Sequence, residues 1–212
     1  MTILISKVPY GTFADYSPRG TSEKSRKSQD LCGRIKQANP ATIQNFIDQL
    51  IKPENRKLFK EFLGPEITLI PSPRSSPIVK GGLWPGHELA QSLVDAGLGK
   101  EVIASLRRVT AVPKSASAGK GNRPDVQTHF DSFEVRRSLI IPDKITIIDD
   151  VLTLGRTLFA GALRLHEAYP KAEIRAFAFI RTMGLVPDVE KIANPSVSEI
   201  YQTGGGGCNR TD

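Results

Sequence analysis

The residues best placed to do chemistry are Asp149 and Asp150. They close a β-branched run, Lys144 to Ile148, and precede Thr153, Gly155, Arg156 and Thr157 at the mouth of an apolar-periodic segment. The stretch from Lys144 to Leu158 reads as strand, acidic pair, small loop and helix start. Backbone N–H groups opening a helix form an anion site, to which the helix dipole adds about 0.3–1 kcal/mol. A carboxylate pair beside that site would repel a bare phosphate. Ribose hydroxyls or a metal-bound sugar phosphate are the natural ligands for it.

A second anion candidate follows the strand expected at Glu66 to Ile70. It is the loop Pro71-Ser72-Pro73-Arg74-Ser75-Ser76-Pro77. Proline fixes the turn, and arginine offers a planar fork for phosphate oxygens. Structural alternatives exist for both segments. An apolar strand ending in Asp-Asp also describes a Walker B segment, but no Gly-rich loop ending in Gly-Lys-Ser/Thr lies upstream. A strand–turn–helix with no ligand, or a turn with a surface arginine, would account for the same letters.

The stretch from Lys144 to Leu158 resembles the phosphoribosyl pyrophosphate (PRPP) motif of type I phosphoribosyltransferases. Asp149 and Asp150 match the ribose-binding acids, and Thr153, Leu154, Gly155, Arg156 and Thr157 match the 5′-phosphate loop. Leu154 departs from the pattern, standing where Thr or Ser is usual. It removes a hydroxyl and leaves the backbone amides. In that family the loop after the first core strand binds pyrophosphate, and Ser72, Pro73, Arg74 and Ser75 match it in position. The resemblance implies transfer of ribose 5-phosphate from PRPP to a nitrogen acceptor. Mg²⁺ would be held through PRPP oxygens with no direct protein ligand required, Asp149 or Asp150 being the candidates if there is one.

Thr110 to Thr128 is long and poor in apolar residues, which reads as a lid or an unstructured loop. In the family a flexible catalytic loop covers PRPP here, which makes Lys114, Lys120 and Arg123 its cationic members. The order Arg108, Arg123, then a Ser-Phe-Glu-Val strand resembles the competence-associated (ComF-like) branch. Val126 stands where that branch often has Asn.

These residues need a scaffold. Strands are expected near residues 66, 102, 133, 145 and 173, with helices between them. That pattern gives an α/β fold, a mainly parallel five-stranded sheet covered by helices on both faces. Ahead of it, residues 1–65 read as an N-terminal strand (Thr2 to Val8, with Ile3 and Ile5 on one face) and a helical hood. Its helices are a basic one over Thr21 to Gln37, one starting at Asn39-Pro40, and one from Pro53. Residues 66–212 form the phosphoribosyltransferase-like core, and Gly204 to Gly207 read as a short flexible C-terminal tail. His87 is expected as a partly exposed helix residue, and Arg181 either reaches the site or flanks its strand.

The chain has 212 residues and a net charge of +7, from 29 basic and 22 acidic side chains. That excess suits nucleic acid or a polyphosphorylated substrate equally. Cys32 and Cys208 are the only cysteines, too few for a disulfide framework, which points to a reducing cytoplasm. No long apolar run predicts a membrane span. Three readings remain open. The first is a phosphoribosyltransferase of nucleotide metabolism. The second is a regulator that senses PRPP or binds nucleic acid on the same fold, and the third is a partner component of a bacterial defence system. A homodimer is compatible with each.

Overall fold

A computed structural model of the chain describes residues 5–79, 81–113, 123–137 and 141–211. Its strands are β1 (Lys7–Tyr16), β2 (Thr68–Pro71), β3 (Glu101–Val102), β4 (Leu106–Arg108), β5 (Phe133–Val135), β6 (Lys144–Leu152), β7 (Glu173–Thr182), β8 (Ala193–Gln202) and β9 (Cys208–Arg210). The helices are α1 (Glu23–Lys36), α2 (Pro40–Leu50), α3 (Pro53–Leu58), α4 (Pro85–Asp95), α5 (Val126–Asp131) and α6 (Arg156–Ala168). The fold is α/β. A seven-stranded mixed sheet runs β3-β2-β6-β7-β1-β8-β9, and β4 pairs with β5 in a small sheet of its own. From β3 through β1 every neighbour is parallel; β8 and β9 add an antiparallel edge.

Strand alternation divides the core into two layers. Phe177 and Phe179 of β7 share a core layer with α1, α2, α4 and the Phe59–Leu63 segment that follows α3, while Ala176 and Ala178 face α6. The small residues let α6 lie close to the sheet, helped by Ala160, Gly161 and Ala162 on its own buried side. On the opposite layer Phe13, Phe46, Phe59, Phe177 and Phe179 meet edge to face, with ring centroids 5.1–5.7 Å apart. Each buried ring stabilises by about 1.5–3 kcal/mol, and each such pair by about 0.5–1.5 kcal/mol more.

The helix signals act as read. Ser22 caps α1 by accepting from the Ser25 amide at 3.2 Å, and Asn39 caps α2 by accepting from the Thr42 amide at 3.0 Å. The sheet differs from the five-stranded expectation. The segment expected as one strand over Glu101 to Leu106 is broken, because the Ser105 amide donates to the Ile103 carbonyl at 2.8 Å and turns the chain out of the sheet. The expected strand at Phe133 therefore pairs with β4, outside the main sheet.

The N-terminal strand is not a preface. It lies inside the sheet between β7 and β8, in register from Tyr10 opposite Ala176 to Tyr16 opposite Thr182. Ile3 of the expected Thr2 to Val8 strand falls outside the described residues. Gly11 disguises this strand, yet a Cβ there would come within 3.1 Å of both Phe59 and Phe177. Nor are the late glycines a tail. They form the turn between β8 and β9, with Gly205 and Gly206 at φ +84° and +78°. The Val126 amide donates to the Gly206 carbonyl at 3.0 Å and docks this turn on the start of α5.

Candidate functional site

Two crossovers leave the sheet in opposite senses. From β2 the chain passes through α4 to β3, on one edge of the pair; from β6 it passes through α6 to β7, on the other. The helices α4 and α6 lie on opposite faces, one in each core layer. A crevice must therefore open beyond the carboxyl ends of β2 and β6, the usual place for ligands in open α/β sheets. The loop Ser72–Ser75 leaves β2 there, and Asp149 to Thr157 leaves β6 there. The two meet directly: the Ser72 amide donates to the Ile148 carbonyl at 2.8 Å, and the Ser72 side chain hydrogen-bonds Asp149.

The β6–α6 turn is built around Gly155. Its φ is +83°, and a Cβ would sit 2.7 Å from Cδ1 of Ile200, so conformation and space both demand glycine. Gly155 occupies the N-cap of α6 and has no side chain to cap it. The first-turn amides of this 13-residue helix are left for an external acceptor. Asp149, Thr153, Leu154, Gly155, Arg156 and Thr157 line one recess together with Arg123. Arg156 donates backwards, to the carbonyls of Arg123 (3.2 Å) and Pro124 (3.1 Å), and fixes that segment beside the loop.

The acids are not equivalent. The strand runs on to Leu152 rather than stopping before them. Alternation puts Asp149 on the side of Ile145 and Ile147, and Asp150 on the side of Ile148. Asp149 faces the recess and Ser72. Asp150 does not line the recess, and its charge is felt by Cys32 of α1 on the other layer. Burial, followed by the charge and side-chain hydrogen bond of Asp150, raises the Asp149 carboxyl well above the usual range, opposed by the Ser72 hydrogen bond.

Sequence reasoning missed two residues that organise the crevice. Arg108 is 5 % exposed and His129 is 2 % exposed. The Arg108 guanidinium donates to the Arg74 carbonyl and to Ser132 Oγ, and stacks 4.3 Å above the Phe133 ring. It also donates to Nδ1 of His129 at 3.2 Å. Arginine cannot accept, so Nδ1 carries no proton, and Nε2–H is the donor towards Thr157 Oγ1 at 3.5 Å. Thr157 then keeps its own O–H for a ligand. This chain links the β2 loop to the phosphate-type loop of α6. Burial, then the charges of Arg108 and Arg156, lowers the His129 pKa to about 4. Strand alternation places Arg108 on the buried side of β4 with Leu106, while Arg107 is exposed. His129 left no comparable signal.

The other expected contacts divide. The Arg74 guanidinium donates to the Leu83 carbonyl at 2.5 Å and braces its own loop. Arg123 lies against the Thr153–Thr157 loop, on the phosphate side rather than the pyrophosphate side. Lys114 and Lys120 fall outside the described residues. Arg181 is a sheet ion pair, donating to Asp15 Oδ1 at 2.8 Å through Nη2 and at 3.0 Å through Nε. His87 is partly exposed and lies beside Trp84, ring centroids 5.5 Å apart. The basic face of α1 is partly neutralised: Lys27 pairs with Glu23 and Arg34 with Asp30, each at 2.7 Å.

Among the described residues no group of three His, Cys, Asp or Glu side chains could cage a metal. The donors that meet at the crevice are oxygen, from Asp149 and Ser72, with Asp150 next in the strand. A divalent cation would offset both the burial and the Asp150 charge that raise Asp149. Such a set fits Mg²⁺, which keeps waters and takes substrate phosphates as further ligands. Among the described residues no helix is long and apolar enough to cross a membrane. No protein-family model and no curated protein sequence matches the chain.

Proposed function

We propose that the chain binds PRPP at the β2–β6 crevice and transfers its ribose 5-phosphate to a nitrogen acceptor, in the manner of type I phosphoribosyltransferases. The supporting observation is the direct meeting of Ser72 and Asp149, which joins a diphosphate-type loop to a ribose-type acid at a switch point. The 5′-phosphate would take the α6 first-turn amides and the Thr153 and Thr157 hydroxyls. Asp149 and Asp150 would accept from the ribose hydroxyls and lie near the positive charge that grows on the ring as the C1–O bond breaks. The Ser72–Ser75 loop would hold the diphosphate, fixed from behind by Arg108. Bound Mg²⁺ would neutralise charge on the departing pyrophosphate.

Loss of both PRPP binding and pyrophosphate release in Asp149→Asn/Asp150→Asn tests this reading. Unchanged PRPP affinity in that variant would sink it. Leu154, which costs the loop a hydroxyl, favours a second reading of the same site: a sensor that binds PRPP without turning it over. That protein would show the affinity and release no pyrophosphate with any acceptor base or ammonia.

A further inference from the structure

A second hollow lies beside the β2 loop, with a volume of about 610 Å³ and no lining residue in common with the Asp149–Thr157 recess. Its two sides differ in chemistry. One is aromatic and aliphatic, with Trp84 and His87 at the start of α4 and Ile78 and Val79 on the approach to it. Val79 is 71 % exposed, and Val109, just past β4, is 51 % exposed. The Trp84 Nε1–H donates to the Ser72 carbonyl at 2.8 Å. That uses the only polar atom of the indole, so what remains for a ligand is ring surface. The other side is the β4–β5 ribbon, which presents Arg107 and Arg136 against Glu134 and is therefore net positive. Both arginines are exposed and make no ion pair among the described residues. Arg107 spends its Nε on the Ala104 carbonyl at 3.4 Å, which leaves its terminal amino groups. Glu88 lies on the α4 side, 3.9 Å from Nδ1 of His87.

We propose that this hollow binds a planar aromatic anion. Its volume falls within the range of roughly 300–1,000 Å³ typical of small-ligand pockets, which pair apolar walls with a few placed charges. Its walls are held in place: the Arg74 guanidinium donates to the Leu83 carbonyl at 2.5 Å, and the Gly82 amide donates to the Val79 carbonyl at 2.9 Å. The ligand ring lies against Trp84 and His87, whose own rings are tilted by 36° and stay partly exposed. Contact with the ring takes the exposed surface of Val79 and Val109 out of water. The anionic group meets Arg107 and Arg136, whose planar forks suit a carboxylate or a phosphate. A cation would face the net positive ribbon, and a neutral ring would leave both guanidiniums unused. This inference does not rest on PRPP binding, because neither the crevice acids nor the α6 turn lines the hollow.

The test is a titration of the full chain with naphthoate, naphthyl phosphate and the cation naphthylmethylammonium. It is read on the indole N–H resonance of Trp84, the only tryptophan in the chain. Saturable shifts at one site are expected with both anions, with Kd of about 1 mM or tighter for ligands of this size. The tighter anion shows whether a carboxylate or a phosphate is the better fit. The cation should bind at least about tenfold more weakly. Arg107→Gln/Arg136→Gln and Val79→Asp change exposed side chains and should leave the fold intact by circular dichroism. Each should weaken the anions about tenfold. No saturable shift, equal affinity for the cation, or unchanged anion affinity in either variant would overturn the proposal. So would loss of naphthoate binding in Asp149→Asn/Asp150→Asn, which would place the probe in the PRPP crevice. Movement of the indole resonance with protein concentration alone would assign the wall to a second copy of the chain and overturn it as well.

Discussion

Arg108 and His129 form a buried pair in which the cation is the donor: Nη2 of the arginine lies 3.2 Å from Nδ1 of the imidazole. The geometry fixes the tautomer of the histidine, and through it the direction of the hydrogen bond to Thr157. Arg108 also holds the Arg74 carbonyl, so one side chain sets the spacing of both loops that border the crevice.

Arg108→Lys keeps the charge and loses the fork. A lysine cannot reach Arg74, Ser132 and His129 together. With hydrogen bonds from charged groups worth about 1.5–3 kcal/mol each, the variant should lose about 3 kcal/mol in urea denaturation. An unchanged midpoint would show that Arg108 is not the brace described.

His129 gives a pH signature. Its folded pKa of about 4 lies below the ordinary 6.5, so the unfolded chain takes up the proton first. Stability from this group is complete above pH 6.5 and is lost as pH falls towards 4, by up to about 3 kcal/mol. Denaturation at pH 7.5 and 4.5 should show this slope in the parent chain and a flatter one in His129→Gln. Equal slopes would contradict the assignment.

Asp149 has the opposite sign. A carboxyl whose folded pKa is raised is protonated more readily in the native state, so the charged form costs stability as pH climbs above the ordinary carboxylate range. Asp149→Asn should therefore raise the melting temperature at pH 8, by about 2–4 °C for each kcal/mol relieved, with the gain fading towards pH 4. A lower melting temperature at pH 8 would mean that the carboxylate is stabilising.

Gly155→Ala places a Cβ at positive φ and against Ile200. It should cost about 1–3 kcal/mol and disorganise the first turn of α6. Thermal melts of Gly155→Ala and Gly155→Ala/Ile200→Ala separate the two causes, since the double variant relieves the clash and keeps the strain.

The Lys144–Leu158 stretch was legible because strand, acids, glycine and helix start are contiguous, and local chemistry dictates each. The α2 boundary was legible for the same reason, from Asn39 and Pro40. What escaped depends on long-range packing. The sequence of β1, with Pro9 and Gly11 inside it, does not look like an interior strand until Phe59 and Phe177 are seen to need the room. The Ala104–Ser105 turn carries neither Gly nor Pro, so nothing marked the break between β3 and β4. Gly204 to Gly207 reads as slack chain unless Val126 is known to dock on it. The candidate site divides the same way: the strand–glycine–helix course of the β6 loop is local, whereas Arg108 and His129 come into place only once β4, α5 and α6 come together.

Calorimetric titration of the parent chain with PRPP, with and without Mg²⁺, tests the central claim most directly. The account predicts one site per chain, tighter binding with Mg²⁺, and loss of the heat in Asp149→Asn/Asp150→Asn. No heat under either condition, or an isotherm unchanged in that variant, would contradict it.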